Sequence, residues 1–282
     1  MKKTNRVSDV ENDFMQYKKL ATAIRIHCIR MTNKGRSGHL GSMLSMADIL
    51  AVLYEKILKV DPANPEWDER DRFILSKGHG GAAVYAVLAE KGFFPKEWLG
   101  TYYLDNGKLS GHISHHVPGV EFSTGSLGHG LPVAAGMALA AKCAGKKHRI
   151  FCMLSDGDCN EGSTWEAIMF AKQHNLDNLT VIVDYNRVQA LGKMEDVIEM
   201  EPFAQKLTDF GWAASEINGH DYGEIEAVLA HLPLEEGKPT WILAKTTKGK
   251  SIDYLENTVS CHYRFIPDDK LEESINSLKM GV

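Results

Sequence analysis

Residues 149–186, RIFCMLSDGDCNEGSTWEAIMFAKQHNLDNLTVIVDYN, decide the fold of this 282-residue chain. RIFCML and LTVIVD are short, continuous apolar runs, which are typical of strands buried on both faces of a sheet. STWEAIMFAKQH, between them, has the length and composition of a helix. A strand, a helix and a strand within about forty residues predict a βαβ unit with parallel strands and a right-handed crossover.

The same alternation extends in both directions from this segment. Strands are predicted for RFILS at 72–76 and TWILAKT at 240–246, and helices for 13–30, from about 81, 127–144, 202–210 and 222–232. Ser45 has the form of an N-cap on a further helix, with Asp48 at the capping-box position. We therefore predict an α/β fold, a doubly wound, mainly parallel sheet flanked by helices. It forms a single domain over 1–282, with a short N-terminal helical extension and a C-terminal tail after 260 that the pattern does not assign.

Composition excludes several classes of function. The formal net charge of −5 and the lack of a basic stripe argue against nucleic-acid binding. The N-terminus has no apolar stretch behind its lysines, so no signal peptide is expected, and apolar runs such as 131–141 are too short to span a bilayer. The five cysteines form no CxxC pair and no zinc spacing, which indicates reduced thiols in a cytoplasmic protein.

Two polar residues follow the strands of the βαβ unit. Asp156 and Asn186 come just after these strands, and carboxyl ends of neighbouring parallel strands meet at one sheet edge. A carboxylate and an amide oxygen suit a magnesium ion that completes its shell with phosphate oxygens, water and a main-chain carbonyl. Gly157 permits close approach of a phosphate, and a helix from about Glu161 directs its N–H groups there. The alternative is ordinary turn chemistry, since Asp-Gly and Asn are common after strands.

Four histidines stand in loops rich in glycine or serine: His39, His79, His112 and His262. Imidazole exchanges protons near neutral pH and donates hydrogen bonds to phosphate or carbonyl oxygens. For each histidine alone, a solvated or hydrogen-bonded loop residue is the alternative. Zinc ligation is disfavoured because no pair has helical i, i+4 spacing or a matched cysteine.

The segment SDGDCNEG, followed by YNRV, resembles the thiamine diphosphate motif, which opens with Gly-Asp-Gly and closes with Asn. SGHLGSMLSMADIL, DRFILSKGHG, SGHIS, EFSTGSLGHGLPVAAGMALA and AKTTKGKS resemble, in that order, successive blocks of the transketolase amino-terminal half. Together these blocks cover nearly the whole chain. The sequence departs from the family at Ser155, which replaces the first glycine, at Lys77, which replaces an asparagine, and at Leu40 and Ile113, which replace prolines.

The resemblance implies thiamine diphosphate and Mg²⁺ (or Ca²⁺) as cofactors, and a role for each matched position. Asp156, Asn186 and the Val188 carbonyl would hold the metal, and Gly157 and His79 the diphosphate. Gly125 would bond the aminopyrimidine, and Leu127 would contact the thiazolium. His39 and His262 would bond substrate oxygens, and His112 the ketol intermediate. Glu161, counted with the cofactor-binding residues, and Glu166 match carboxylates at the family's subunit interface.

The resemblance also implies transfer of a two-carbon ketol unit from a ketose or ketose phosphate to an aldose. In transketolases the glutamate that activates the aminopyrimidine lies in a second α/β domain. A separate C-terminal, pyrimidine-binding subunit is therefore expected, in an α2β2 assembly. One alternative is the α-subunit of a 2-oxoacid dehydrogenase, but that family does not predict the ordered Gly-His blocks. A second is a 1-deoxyxylulose-phosphate-synthase-like enzyme, which is one longer chain. A third is a non-catalytic module on this fold.

Overall fold

A five-stranded parallel sheet forms the centre of the protein. The computed structural model describes residues 4–281. The strands are Arg72–Leu75 (β1), Ile150–Ser155 (β2), Leu179–Tyr185 (β3), Ala213–Asn218 (β4) and Thr240–Lys245 (β5). Their order is β1-β2-β3-β5-β4, and every neighbouring pair is parallel. The predicted parallel sheet and its βαβ unit are confirmed, whereas β4 was not predicted.

Helices cover both faces of the sheet, as the doubly wound prediction requires. The α-helices of the described chain are Thr4–Gly35 (α1), Leu40–Ser45 (α2), Ala47–Val52 (α3), Gly81–Glu90 (α4), Gly130–Cys143 (α5), Gly162–Gln173 (α6), Met194–Val197 (α7), Phe203–Asp209 (α8), Tyr222–Leu229 (α9) and Asp268–Met280 (α10). The tail that the sequence pattern left unassigned contains α10, which packs against α1. Among the described residues, no helix combines the length and the apolar character needed to cross a membrane.

The prediction that Ser45 caps a helix is wrong. Ser45 is the last residue of α2, and the N-cap position of α3 is Met46, which makes no side-chain capping bond. The Ser45 hydroxyl instead donates to the Ser42 carbonyl at 3.1 Å and to the Asp184 carboxylate. A buried carboxylate from a distant strand therefore competes successfully for a hydroxyl that local sequence assigns to a helix end.

Successive strand residues enter two different cores. Phe73, Phe151 and Ile182 belong to the core cluster that includes α1, α3 and α4, whereas Ile74 and Cys152 belong to the cluster that includes α5 and α6. Because both faces are covered, the strands are apolar almost throughout. Polar chemistry is consequently concentrated at the carboxyl ends of the strands, where the chain leaves the sheet.

Candidate functional site

A cavity of about 330 Å³ lies beyond the carboxyl ends of β2 and β3. We call it the central cavity. The predicted site residues that line it are His79, Leu127, Asp156, Gly157, Glu161, Asn186, Val188 and His262. Segments separated by up to 183 positions, from His79 to His262, therefore contribute to one space. The predicted meeting of the β2 and β3 loops at one sheet edge is confirmed.

Asp156 is the least satisfied polar group at this edge. It follows β2 directly and is 2% exposed, and neither oxygen of its carboxylate accepts a hydrogen bond from the described residues. Burial, together with the negative charge of Asp184, raises the pKa of the Asp156 carboxyl to about 7. A buried carboxylate without donors is costly, so the position is suited to a cation that is not part of this chain.

The loop after β3 places Asn186 and Val188 at the same cavity. The Asn186 side-chain oxygen accepts from the Val188 N–H at 3.1 Å. Between them, Arg187 has a left-handed backbone with φ of 59°, so the chain turns sharply there. The Val188 carbonyl accepts a hydrogen bond from Lys248 Nζ at 2.7 Å. A carboxylate, an amide oxygen and a carbonyl thus surround one space, which is an oxygen set suited to a hard divalent cation.

The β2–α6 loop accommodates Ser155 without a left-handed residue, because Ser155 is still part of the strand. Its N–H and hydroxyl both donate to Asp158 at 2.9 Å. Gly157 follows, and a Cβ added there would lie 3.0 Å from the Leu127 side chain. A short 3₁₀ turn, Gly157–Asn160, precedes α6, whose N-cap position is Glu161. Gly157 is therefore half-buried and packed against Leu127, so a larger residue there would crowd that side chain.

The four loop histidines form one cluster. The ring centroid of His39 lies 4.8 Å from that of His262, 5.1 Å from that of His79 and 5.8 Å from that of His112. The backbone joins the same segments, since the His39 N–H donates to the His262 carbonyl at 2.7 Å. Gly125 lies against this cluster, because a Cβ added to it would be 3.2 Å from His112.

The environment keeps three of these imidazoles neutral, those of His39, His79 and His262. Burial, followed by the Lys77 charge, lowers the pKa of His79 well below its ordinary value. Burial and the Lys248 charge lower the pKa of His262 to about 3, and burial and His112 lower that of His39. Each neutral ring offers one N–H donor and one acceptor nitrogen. These three rings can therefore bind oxygen atoms of a polar ligand through hydrogen bonds without carrying charge.

Three charged residues of the site were not predicted. Lys77 was noted as a departure from the family pattern, and it forms a fully buried ion pair with Asp184. Asp184 also accepts from Ser45 and Thr246. Lys248, 1% exposed, lines the central cavity and is 3.3 Å from His262 Nδ1. The sequence signal that could have identified the two lysines is a lysine next to a glycine in a loop, as in SKGH and TKGK.

Two of the predicted carboxylates lie at the surface of this chain. Glu161 is exposed at the edge of the central cavity, and Glu166 is exposed on α6. The outer side of α6 also exposes Met169 and Phe170, which are 52% and 39% exposed. α5 packs beside α6, with no charged residue before Lys142. We call the outer side of these two helices the α5–α6 face.

Residues 16–280 match the family described as transketolase, thiamine diphosphate binding domain. The chain is 40% identical over 266 residues to an apulose-4-phosphate transketolase subunit of Actinobacillus succinogenes, in a match that covers 94% of this chain and 96% of that protein. It is 38% identical over 260 residues to a 6-deoxy-6-sulfo-D-fructose transketolase subunit of a Clostridium species, with 92% and 94% covered.

Solved transketolases share the fold. The match to the enzyme from Campylobacter jejuni has a TM-score of 0.88 at 35% identity and covers 95% of this chain but 42% of that one. The match to the enzyme from Leishmania mexicana has a TM-score of 0.87 at 31% identity, with 94% and 41% covered. The chain therefore spans well under half the length of these solved proteins, while it is similar in length to the Actinobacillus and Clostridium proteins.

Proposed function

The chain belongs to the transketolase family, and from this premise we propose that it is the metal- and diphosphate-holding subunit of a thiamine diphosphate-dependent transketolase-type enzyme. Residues 1–282 form its single thiamine diphosphate-binding domain in this proposal. The reaction is transfer of a two-carbon ketol unit from a ketose, or a ketose phosphate, to an aldose. The free cysteines are in keeping with a cytoplasmic enzyme.

The observation that carries the proposal is the buried Asp156 carboxylate without donors, facing the Asn186 loop. In the proposal, Asp156, Asn186 and the Val188 carbonyl hold Mg²⁺, and phosphate oxygens complete its coordination. The positive ion offsets the carboxylate charge, which Lys77 and Lys248 offset only in part. Because Asp156 has a pKa of about 7, metal binding at neutral pH also displaces its proton.

In the proposal, three groups that line the central cavity hold the diphosphate. Gly157 offers a backbone amide without a side chain of its own, and His79 offers a neutral imidazole. Lys248 adds a buried ammonium whose described neighbours include the Val188 carbonyl. We propose that this ammonium faces the diphosphate, since a phosphate oxygen is a stronger acceptor than a carbonyl. Thiamine diphosphate, once bound, supplies a nucleophilic carbon that can attack a ketose carbonyl.

The remaining predicted residues orient the ring system and the sugar. Leu127 provides an apolar contact for the thiazolium, and the Gly125 backbone bonds the aminopyrimidine. Lys248 can only donate to His262 Nδ1, so the ring proton of His262 is on Nε2 and is available to a substrate oxygen. His39 and His112 act on the neighbouring oxygens in the same way. Because the pKa values of His39 and His262 are lowered, these two rings are neutral at neutral pH and bind hydroxyl and carbonyl oxygens through N–H donors and ring-nitrogen acceptors.

We propose that a separate pyrimidine-binding subunit completes the site in an α2β2 assembly. The relatives of similar length are named as transketolase subunits, and the solved transketolases are more than twice as long as this chain. The α5–α6 face, with its exposed Met169 and Phe170, is a suitable assembly surface. Glu161 and Glu166 lie near it and would become buried there. The names of the two relatives indicate that the sugar differs among such subunits.

Calorimetry with the purified chain, alone and with the candidate partner subunit, tests the proposal. We expect thiamine diphosphate to bind only when Mg²⁺ is present, and ketol transfer to require the partner. Asp156→Asn should weaken cofactor binding by about 100-fold or more, because the anionic ligand is lost. Asp209→Asn, an exposed aspartate on α8, is the matched control and should bind as the unaltered chain does. Absence of cofactor binding with Mg²⁺ and the partner present would indicate a non-catalytic module.

A further inference from the structure

Outside the central cavity, polar side chains from three parts of the chain meet in a buried group that we call the Asp48 cluster. Arg25 of α1 donates to the two carboxylate oxygens of Asp48 in α3 at 3.0 and 2.6 Å, and each side chain is 6% exposed. The same carboxylate accepts from the Tyr222 hydroxyl at 2.9 Å and contacts His220 Nδ1 at 2.7 Å. Every oxygen of this carboxylate is therefore bonded, in contrast to Asp156.

The Asp48 carboxylate is held in its ionised form. Burial alone would raise its pKa, but the charge of Arg25 and the hydrogen bonds from His220 and Arg25 hold the pKa well below its ordinary value. An ionised carboxylate can only accept hydrogen bonds. The Asp48 carboxylate is therefore a fixed acceptor, and it orients the donors that contact it.

His220 connects this cluster to the central cavity. The Thr247 N–H donates to His220 Nε2 at 2.8 Å. Because a backbone amide can only donate, Nε2 is unprotonated and the ring proton is on Nδ1, where Asp48 accepts it. Asp48 thus determines both the tautomer and the orientation of the imidazole that receives the Thr247 amide.

Thr247 precedes Lys248, whose ammonium lies at the Val188 carbonyl in the central cavity. The flanking amides of this loop bond to backbone: Thr246 donates to the Tyr185 carbonyl at 3.2 Å and Gly249 to the Gly41 carbonyl at 3.0 Å. At Thr247 the acceptor is a side chain instead. A substitution at His220 therefore removes this attachment and leaves the backbone bonds of Thr246 and Gly249 in place.

We propose that His220, oriented by Asp48, is a positioning residue that fixes the loop carrying Lys248 and thereby sets the ammonium at the diphosphate. The role of Lys248 rests on the proposed function, whereas the attachment of the loop does not. His220 acts only through Thr247. Loss of this attachment gives the loop more freedom, so the ammonium spends less time at the cavity and cofactor binding weakens.

The experiment compares three variants with the unaltered chain. His220→Phe keeps a planar ring but removes both hydrogen bonds, and His220→Gln keeps a donor and an acceptor. His231→Phe is the matched control, because His231 is an exposed histidine that bonds to the Ala227 carbonyl. Amide-resolved hydrogen exchange is measured on the metal-free chain at Thr246 and Thr247. Affinity for thiamine diphosphate with Mg²⁺ is then measured in complex with the partner subunit.

We expect His220→Phe to accelerate exchange at Thr247 and not at Thr246, and to weaken cofactor affinity about tenfold. His220→Gln should restore both properties, and His231→Phe should change neither. The proposal is overturned if Thr247 is unprotected in the unaltered chain, or if His220→Phe leaves exchange and affinity unchanged. A chain that protects Thr247 through His220 but binds no cofactor would reject the proposed function and retain the loop attachment.

Discussion

Asp156 and Asp184 are two buried carboxylates at the same edge of the sheet, and they differ in their partners. Asp184 stands at the end of β3, paired in register with Ser155, the residue before Asp156. Asp184 is bonded by Lys77, Ser45 and Thr246, whereas Asp156 has no donor among the described residues. Although both are buried, Asp184 is satisfied by groups of the chain itself, whereas Asp156 is left for the metal ion in the proposed function.

The same difference is visible in the protonation of the two acids. Burial raises both pKa values, but the Lys77 charge and the hydrogen bonds bring that of Asp184 below its ordinary value. The pKa of Asp156 stays at about 7. The hydrogen-bond and ion-pair partners of the two carboxylates, rather than their burial, therefore distinguish Asp184 from Asp156. The following predictions change one carboxylate, or its surroundings, at a time.

The largest effect is expected for Asp184→Ala, which leaves the ammonium of Lys77 buried without a counter-ion. We expect a loss of about 3–5 kcal/mol in the free energy of unfolding. Urea denaturation of the chain measures it. The double variant Lys77→Met with Asp184→Asn removes the buried charges together and should recover most of the loss. A single variant within about 1 kcal/mol of the unaltered chain would show that the ion pair is not structural.

Lys248→Met sharpens the comparison at the ligand side, because it removes an ammonium near Asp156 and shortens the side chain by only one atom. We expect cofactor affinity in the presence of Mg²⁺ to fall about tenfold, the loss of one charge-assisted hydrogen bond. Calorimetry with the partner subunit measures it. Lys250→Met, two residues further along the same loop, is the control and should bind normally. Unchanged affinity in Lys248→Met would remove Lys248 from the diphosphate site.

Asp156→Asn should stabilise the metal-free chain, in contrast to the effect at Asp184. The substitution removes a buried charge that the Lys77 and Lys248 charges compensate only in part, so we expect the melting temperature in EDTA at pH 8 to rise by about 3 °C. Scanning calorimetry on both proteins provides the measurement. If the variant melts lower than the unaltered chain, Asp156 contributes to folding and the contrast with Asp184 disappears.

The pH dependence of this difference is the smallest predicted effect. An unfolded Asp156 is ionised above its ordinary pKa of 3.8, whereas the folded one keeps its proton up to about 7. Over this range the folded state binds more protons, so the Asp156 contribution to stability falls as pH rises. His79 and His262, with lowered pKa values, act in the opposite direction because the unfolded state binds more protons.

Subtracting the melting temperatures of Asp156→Asn from those of the unaltered chain at each pH isolates Asp156. Below about pH 4 we expect the two melting temperatures, both measured in EDTA, to change in parallel. From there up to about pH 7 we expect the melting temperature of the variant to exceed that of the unaltered chain by a growing amount. A difference that is constant across this range would mean that Asp156 is ionised in the folded state without metal.

Sequence patterns predicted the elements that are buried on both faces. The apolar runs of β2 and β3 leave little choice of structure, so Asp156 and Asn186 could be placed at one edge. β4 was missed because AASEIN carries Ser215 and Glu216 at an edge of the sheet, where a strand needs less apolar character. Local sequence patterns predict a strand reliably where burial on both faces requires apolar residues.

Long-range pairing was beyond the reach of spacing arguments. The Asp184 side chain sits in the run LTVIVD, and nothing near it indicates that Lys77, 107 positions earlier, supplies its counter-ion. The position of Lys248 in the central cavity depends on the same kind of contact. The four histidines could be predicted individually from their loops, but their mutual distances follow from the sheet topology.

Close contacts between segments that lie far apart in the sequence have a consequence for biosynthesis. The His39 N–H bonds to the His262 carbonyl at 2.7 Å, and a Cβ at Gly41 would lie 2.3 Å from Cys261 Sγ. The segment that closes the histidine cluster is thus translated 223 residues after His39. A nascent chain on the ribosome cannot present a finished pocket until residues 246–262 have emerged, so in the proposed function the cofactor is loaded only after that point.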